Sequence, residues 1–411
     1  MRILYFTSLK GVHGRKWLAH FSREHEVHVA TFSAIQEDLL PGVNIHQIQN
    51  VERLPIVSRV TTKQPSTISA GIKKQITVDE TQRIKKEAWL TFKIGWRYAY
   101  QFARLIDALQ PDLIHAHQSV PFGWYALCAA SWARHKAPML VSVCGTDVMA
   151  YPDRSRLYRW MNRQVLTRAT KITATSATLR TAAARFAPAK RIVDVVPFGV
   201  DTGLFTPKNK PSHQARFFGM AKYLKPVYRI DLAIRALALA RKINHNISLE
   251  LAGSGPQEEY LRGLAKKLGI ESAVTFLGPV SQDKMPEVLK RWDAMLILSK
   301  QESFGVAALE AEATGIPVLA ARVGGLPEAI EENKTGRFID RMDEASVARA
   351  LLKLFDDRDF LTRAHTVGPQ FVRQNFEWQK TAQAMERVYR EIIGGSNVPD
   401  HSAADALEAT A

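Results

Sequence analysis

Short runs of aliphatic and β-branched residues alternate along the chain with longer amphipathic segments. The short runs predict strands over residues 3–6, 27–30, 113–115, 140–143, 171–174, 192–196, 217–220, 248–252, 274–277, 294–298 and 317–320. The amphipathic segments predict helices, among them residues 230–242, 257–268 and 304–314. Strands that alternate with helices are typical of parallel α/β sheets. Because the series occurs twice, the pattern predicts two doubly wound domains.

A stretch rich in Pro, Lys, Asn and Ser over residues 201–214 marks the boundary between the two series. We therefore assign residues 1–203 to a first domain and residues 204–376 to a second. Residues 377–394 form a helical pattern with its apolar positions on one side. The tail over residues 395–411 is rich in Ser, Asp and Ala, and we expect it to be disordered.

The composition, 46% hydrophobic and 23% charged, excludes an intrinsically disordered chain. The two cysteines, Cys128 and Cys144, are too few for a disulfide framework or a Cys-rich metal site. We find no signal-peptide pattern and no apolar stretch of the roughly 20 residues that span a bilayer. We therefore expect a cytoplasmic protein, and a peripheral contact at the inner membrane face is an open alternative.

The net charge of +16 is distributed unevenly. Residues 1–205 carry 28 basic and 14 acidic side chains, whereas residues 206–411 carry 28 and 26. A basic first half attracts phosphate groups, nucleic acid or an anionic membrane. Within residues 52–104, the part over 83–100 mixes lysines and arginines with aromatic residues. Such a helix either lies at a membrane interface or packs its aromatic residues on the sheet, and the pattern alone does not separate the two.

The stretch over residues 299–319 carries the most chemistry. A strand ends near residue 298, and Ser303 is a suitable N-cap for the helix over 304–314. A helix N-terminus favours an anion, and Gly305 permits a close approach to the backbone. Glu302 and Glu310 flank this end, and carboxylates accept hydrogen bonds from sugar hydroxyls. These features describe a nucleotide sugar, although an ordinary helix with a charged cap fits them equally well.

The spacing of Glu302 and Glu310 resembles the paired-glutamate motif of the retaining GT-B glycosyltransferases of family four. Further segments resemble this family's domain linker, donor-domain strands, post-motif turn and C-terminal helix start, here at residues 196–207, 251–256, 276–278, 324–336 and 376–378. The resemblance covers nearly the whole chain. It implies a GT-B fold, in which two doubly wound parallel-sheet domains face each other across a cleft and the C-terminal helix crosses back to the first domain.

Transferred residue by residue, the resemblance implies a role for several donor-site positions. Glu302 is expected to contact the donor sugar near the reacting carbon, and Glu310 to bind the ribose hydroxyls. The resemblance implies that the base of the nucleotide lies near Gly253 and residues 278–280, which include Gly278. It implies backbone N–H donors to the sugar and diphosphate at Ser303, Phe304, Gly305 and Val306.

The expected phosphate-binding cations differ from the usual family pattern. Most members carry an arginine and, five residues later, a lysine, but Tyr223 and Tyr228 occupy those positions here. A subset of the family resembles this chain in opening the segment with a lysine, Lys222. We predict that Lys222 stabilises the charge on the leaving diphosphate, with Lys225 and Arg229 as alternatives.

The first domain is expected to supply the acceptor side. Many members carry a histidine where this chain has Cys144, so a catalytic histidine is absent at that place. Each acceptor-side candidate has a purely structural alternative. The resemblance implies acceptor-side positions at Gly11, His13, Arg15, His117 and Asp147.

The predicted reaction moves a sugar from a nucleotide-diphosphate donor to an acceptor hydroxyl with retention of configuration. The expected acceptor is a carbohydrate or a lipid-linked molecule. The expected role of the reaction is polysaccharide, lipopolysaccharide or glycolipid assembly. No Asp-x-Asp motif stands at a strand end, and we expect neither a metal nor a cofactor. The alternatives are a GT-B-shaped nucleotide-sugar epimerase and a basic nucleic-acid-binding protein. Because no nucleic-acid-binding module is recognisable, we expect no nucleic-acid partner.

Overall fold

A computed structural model of the chain describes residues 1–9, 11–32, 40–47, 72–188, 193–211, 214 and 216–394. The side chains of residues 12, 13 and 72–81 lie outside this description. The predicted disordered tail, the side chain of His13 and the first part of the segment over 52–104 therefore fall outside the described residues.

Within the described residues, seven strands form the sheet of the first lobe, and every pair is parallel. The strands are β1 (Arg2–Phe6), β2 (Glu26–Thr31), β3 (Val43–Gln47), β4 (Leu113–His117), β5 (Met139–Val143), β6 (Lys171–Ala174) and β7 (Val193–Val195). Their order is β3-β2-β1-β4-β5-β6-β7. The sequence pattern predicts six of them and misses β3, an edge strand of mixed polarity.

Helices cover both faces of this sheet because strand side chains alternate in direction. The helices are α1 (Val12–Phe21), α2 (Ile72–Leu109), α3 (Trp124–Trp132), α4 (Thr146–Met149), α5 (Tyr151–Arg154), α6 (Arg156–Arg168) and α7 (Ala177–Ala184). Leu4 and Phe6 join a core with α2, α3 and α6. Ile3 and Tyr5 point to the other face and pack with α1.

The packing interpretation of the aromatic segment over 83–100 applies to part of α2. Ile94 and Tyr98 are buried in the core of the first lobe, as the packing interpretation expects. Trp89 and Trp96 instead remain about half exposed. One side of α2 therefore holds the fold together, and the other side presents tryptophans to the surroundings.

The second lobe has the same layered plan. Its described strands are β8 (Phe217–Ala221), β9 (Ser248–Ala252), β10 (Val274–Gly278), β11 (Ala294–Ile297), β12 (Val318–Ala321) and β13 (Gly336–Ile339). They form a parallel sheet in the order β10-β9-β8-β11-β12-β13. The helices are α8 (Ile230–Arg241), α9 (Glu258–Lys267), α10 (Met285–Arg291), α11 (Val306–Ala313), α12 (Leu326–Ala329), α13 (Glu344–Phe355) and α14 (Arg358–Asn375). The short edge strand β13 is not predicted by the sequence pattern.

The last helix, α15 (Trp378–Gly394), crosses back and packs on the first lobe, as predicted. Its apolar side buries Trp378, Met385 and Tyr389 against β1 and α1. The Tyr389 hydroxyl lies 2.8 Å from the hydroxyl of Tyr5 and 2.8 Å from Nδ1 of His115. This buried polar contact fixes the rotation of α15 on the first sheet.

Candidate active site

A cavity of about 450 Å³ lies between the two lobes, at the carboxyl ends of both sheets. The strand order reverses between β1 and β4 in the first sheet and between β8 and β11 in the second. Open α/β sheets bind ligands in the crevices outside such reversal points. Thr7 and His117 reach the cavity from β1 and β4, and Lys222 and Glu302 reach it from β8 and β11. The two lobes thus bring their preferred binding edges together.

The N-terminus of α11 lies at this cavity. Ser303, Gly305 and Val306 line it, and the first N–H groups of a helix have no partner within the helix. The predicted cap is wrong, because the helix begins at Val306 and Gly305 takes the N-cap position with φ +119°. A Cβ on Gly305 would lie 2.7 Å from Leu326 Cδ2, so this turn requires glycine. The Phe304 side chain is buried in the core, which leaves its backbone as the group that can reach a ligand.

Glu302 and Lys222 form an ion pair on the cavity wall. Lys222 Nζ and Ser299 Oγ both donate to Oε1 of Glu302, the latter at 2.7 Å. Each side chain of the pair is only 11% exposed. No hydrogen bond to Oε2 of Glu302 is found in the described part of the chain, so this oxygen is available to a hydroxyl of a ligand.

Two glycines allow the backbone to approach this ion pair closely. Gly324 has φ +58°, and a Cβ there would lie 1.7 Å from the carbonyl oxygen of Glu302. Gly253 has φ +143°, and a Cβ there would lie 2.1 Å from the carbonyl oxygen of Lys222. Gly253 therefore packs closely against the backbone of Lys222, and it is not part of the cavity lining.

The remaining predicted donor residues lie outside the cavity lining. Lys225 is exposed, with its Nζ 4.9 Å from the ring centroid of Tyr223. Arg229, at φ +50°, forms the N-cap of α8. Gly278 ends β10, and its carbonyl accepts a hydrogen bond from the N–H of Gly253 at 2.7 Å. Of the three predicted cations, Lys222 is the one that lines the cavity.

Glu310 forms a wall shared by this cavity and a neighbouring hollow of about 360 Å³. Gln282 Nε2 donates to its Oε1 at 2.6 Å. Burial raises the pKa of Glu310 to about 7, although Gln282, Lys16 and Lys222 oppose this change. An acid that titrates near neutral pH can lose its proton when a ligand supplies hydroxyl donors.

The neighbouring hollow contains a cation that sequence reasoning missed. Lys16 of α1 lines it beside Arg15 and Asp201. The Nζ of Lys16 lies 4.1 Å from the ring centroid of Trp378, and burial lowers the pKa of this lysine. Because Lys16 and Glu310 come from different lobes, no local sequence signal could have paired them. Gln282, which donates to Glu310, lies on the same lobe as Glu310, but 28 residues separate them along the chain, and no local pattern indicates the contact.

His117 brings a buried ring nitrogen to the first-lobe side of the cavity. Its Nδ1 lies 3.0 Å from Thr7 Oγ1, and its Nε2 has no hydrogen-bond partner among the described residues. Burial lowers the pKa of His117 to about 4, so the ring is neutral near pH 7. A neutral imidazole can exchange a hydrogen bond with a hydroxyl of a ligand.

The other predicted acceptor-side residues have different surroundings. Gly11 lines the main cavity, and Arg15 lines the neighbouring hollow. Asp147 is fully buried, and its carboxylate accepts from the N–H of Gly145 at 2.8 Å and of Ser119 at 2.9 Å. Asp147, at the start of α4, is therefore held by the backbone around it and does not line the cavity. Cys144 does line the cavity, and burial raises the pKa of its thiol.

Contacts between the lobes close one side of the cavity. Ser176 Oγ donates to the carbonyl of Ser303 at 2.8 Å. The N–H groups of Ala177 and Thr178, at the start of α7, donate to the Glu328 carboxylate at 2.7 and 3.1 Å. These bonds hold the first lobe against the turn that precedes α11 and against α12.

Among the described residues, no group of three His, Cys, Asp or Glu side chains is arranged to hold a metal ion. None of the described helices combines the length and the apolar character needed to cross a lipid bilayer.

Two family models match the chain. The model described as "Glycosyl transferase 4-like domain" matches residues 16–199. The model described as "Glycosyl transferases group 1" matches residues 204–370. The two matches divide the chain between its two lobes, and the second contains Lys222, Glu302 and Glu310.

Similar proteins agree with these models. A D-inositol 3-phosphate glycosyltransferase of Corynebacterium efficiens is 35% identical over 217 residues, which are 48% of this chain and 51% of the relative. The chain spans about half the length of this relative and of three others with the same name. A Salinispora arenicola protein of that name is 30% identical over 312 residues, 69% of each chain.

A solved structure has the same fold. It is Anabaena HepE in complex with UDP-glucose, with a TM-score of 0.69 and 19% identity over 94% of this chain and 99% of that one. At this identity the likeness establishes the fold alone. Taken with the family models and the relatives, these comparisons place the chain among the GT-B glycosyltransferases of family four.

Proposed function

We propose that this chain transfers a glycosyl group from a nucleoside diphosphate sugar to an acceptor hydroxyl, with retention of the anomeric configuration. One observation carries the proposal: a single cavity between the lobes joins the N-terminus of α11 to Lys222, Glu302 and Glu310. Backbone N–H groups and a lysine suit a diphosphate. Carboxylates suit the hydroxyls of a ribose and a hexose. The UDP-glucose bound by a protein of the same fold supports this choice of donor.

In the proposed step, the bond between the anomeric carbon and the diphosphate oxygen breaks while the acceptor oxygen bonds to the same face of that carbon. The proton of the acceptor passes to the departing phosphate oxygen, so no side-chain base is required. Negative charge grows on the diphosphate, where Lys222 and the N–H groups of α11 stabilise it. The two lobes hold both reactants in the orientation that this transfer needs.

The placement of the acidic side chains supports a step without a covalent intermediate. Among the described residues, the carboxylates that line the cavity are Glu302 and Glu310. Glu302 already pairs with Lys222, and the Asp147 carboxylate accepts from the backbone N–H groups of Gly145 and Ser119. Burial keeps the Cys144 thiol protonated. No side chain in this set is poised as a nucleophile toward a sugar carbon.

We further infer that the acceptor enters along the first lobe. His117, Gln118 and Phe122 line that side of the cavity and offer polar and apolar contacts to a sugar ring. A carbohydrate or lipid-linked acceptor fits this lining. The basic first half supports a role in polysaccharide, lipopolysaccharide or glycolipid assembly at the cytoplasmic face of a membrane.

A thermal-shift screen of UDP, GDP and their common sugar conjugates tests the donor class. A ligand at 100 times its dissociation constant should stabilise the protein by about 2.7 kcal/mol. With the stabilising conjugate, release of nucleoside diphosphate should require an acceptor. Release without any acceptor would favour an epimerase, and no shift with any conjugate would refute the proposal.

Replacing Lys222 with methionine tests the assignment of the phosphate cation. Loss of one charge-stabilising group should lower kcat by about 10²–10³. Lys225→Met is a matched control, because that lysine stands on the exposed ring of Tyr223 and does not line the cavity. Equal losses in the two variants would contradict the role given to Lys222.

A further inference from the structure

Five large aromatic side chains stand exposed on one surface of the first lobe. They are between 44% and 59% exposed, although residues of this size are ordinarily buried. Aromatic contacts connect three of them through the neighbouring rings of Phe92 and Trp124, and the other two contact each other. We name this surface the aromatic patch and define it by Trp89, Trp96, Tyr100, Trp132 and Trp160.

The spacing along α2 explains how the patch forms. Trp89, Lys93, Trp96 and Tyr100 stand at positions i, i+4, i+7 and i+11, which share one side of a helix. Tyr100 lies against Trp132 of α3, with ring centroids 6.4 Å apart. The buried positions of α2 alternate with this stripe and face the core. The helix is thus amphipathic in an unusual sense, because its outer side carries tryptophans rather than only charges.

The charge around the aromatic patch is almost entirely positive. Between residues 83 and 104, α2 carries six basic side chains and a single acid, Glu87. Glu87 pairs with Arg83 at 3.7 Å. On α6, Arg156 and Arg163 are exposed on either side of Trp160, and the helix has no acidic residue. Among the described side chains, the aromatic patch therefore combines amphipathic rings with an excess of cations.

We propose that the aromatic patch docks the first lobe onto an anionic lipid surface. Tryptophan and tyrosine rings settle at the level of lipid headgroups, where one edge is apolar and the other is wet. Lysines and arginines beside them are attracted to anionic lipids. A protein partner would require a closely matched surface, whereas this cationic helix side needs only a plane of anionic headgroups and acyl chains.

The aromatic patch adjoins the acceptor side of the candidate active site. Trp124 contacts Phe92, Trp96 and Trp160, and it lies two residues beyond Phe122, which lines the cavity. The direction of α2 agrees with this position. The helix ends just before β4, whose first residue lies at the amino edge of the sheet, and Trp89 stands about 30 Å along α2 from Leu109. The docked lobe would hold its cavity near the membrane.

The docking proposal identifies an anionic lipid surface as the partner of the first lobe. It rests on the proposed function only for its biological role, which is delivery of a lipid-linked acceptor. The binding itself requires no catalysis. It can therefore be measured on the full-length protein without a donor or an acceptor.

The test is flotation with vesicles of phosphatidylcholine alone or with about one third phosphatidylglycerol, at low and high salt. The wild-type protein should float with the anionic vesicles at low salt and be released by high salt. The double variant K93Q/R97Q should weaken this partition about 25-fold, since each lost charge contributes about fivefold. The double variant W89S/W96S should also lose binding. K266Q/K267Q on α9 is the matched control, because it removes the same charge from an exposed site on the other lobe.

Three results would overturn the docking proposal: no flotation of the wild-type protein at low salt, binding to neutral vesicles that equals the binding to anionic ones, or patch variants that float as well as the α9 control. Nucleotide-sugar thermal shifts of the same variants keep the two proposals separate. If these shifts persist while flotation fails, the docking proposal alone falls. If flotation succeeds while no nucleotide sugar shifts the protein, the proposed function alone falls.

Discussion

Replacing Glu310 with glutamine tests whether burial keeps the pKa of this carboxyl close to neutral pH when no ligand is bound. The side chain is withdrawn from water, which raises its pKa to about 7 despite the opposing effects of Gln282 and Lys16. Glutamine retains the shape and the oxygen that accepts from Gln282, but it cannot ionise. The difference between the two proteins therefore isolates the free energy of ionising Glu310 in the folded state.

The magnitude follows from the change in pKa. The ordinary value for glutamate is 4.5 and the folded value is about 7. At about 1.36 kcal/mol for each unit, the difference amounts to about 3 kcal/mol. Because the folded pKa is raised, the protonated form of Glu310 contributes its full share of stability below pH 4.5. This contribution is lost as the pH rises through about 7. Between pH 5.5 and pH 8, the wild type should lose about 2 kcal/mol relative to Glu310→Gln.

Urea unfolding at both pH values measures this difference. The variant should gain stability over the wild type as the pH rises, by about 2 kcal/mol in free energy of unfolding. Glu287→Gln is the matched control, because the side chain of Glu287 is 76% exposed and should leave the pH dependence unchanged. Parallel pH dependences for the wild type and Glu310→Gln would refute the reasoning.

Donor binding should respond to pH in the opposite direction. Ribose hydroxyls donate hydrogen bonds, and an ionised carboxylate accepts them better than a protonated one. The wild type should therefore bind the nucleotide more tightly as the pH rises from 6 to 8. In calorimetric titrations, Glu310→Gln should lose this trend.

Two further substitutions probe the support of the site and the crossing helix. Gly324→Ala places a Cβ against the Glu302 carbonyl and should destabilise the protein by about 1–3 kcal/mol in urea unfolding. Gly263→Ala, in a helix with open space around it, should instead be stabilising by about 0.5–1 kcal/mol, and the same sign for both would contradict the account. Tyr389→Phe removes the buried hydroxyl contact to Tyr5 and should cost about 1–3 kcal/mol by the same assay. A loss within the error of the wild type would mean that this contact contributes nothing.

Hydrophobic periodicity is enough to predict most of the strands because parallel strands are buried on both faces and read as apolar runs. It fails at the sheet edges. Residues 43–47 of β3 mix Val and Ile with Asn, His and Gln, because an edge strand remains partly exposed. The short strand β13 opens with a glycine and an arginine. In both cases pairing with a neighbouring strand, rather than local pattern, determines the structure.

The candidate site was predictable where the chemistry is local. Glu302, Gly305 and Glu310 lie within one strand-turn-helix unit, and the structure brings them to one cavity. The helix start was misplaced because a left-handed turn at Gly305 delays it by two residues, which a capping rule applied to Ser303 does not anticipate. Lys16 was missed because only the packing of the two lobes brings it close to Glu310.

The central claim is that the N-terminus of α11 receives the diphosphate of the donor. A crystal structure with the nucleoside diphosphate that gives the largest thermal shift measures the position of the diphosphate directly. We expect its terminal phosphate to lie about 3 Å from backbone N–H groups near Gly305 and from Nζ of Lys222, with the ribose hydroxyls on Glu310. A nucleotide bound elsewhere, with this end of α11 still vacant, would contradict the account.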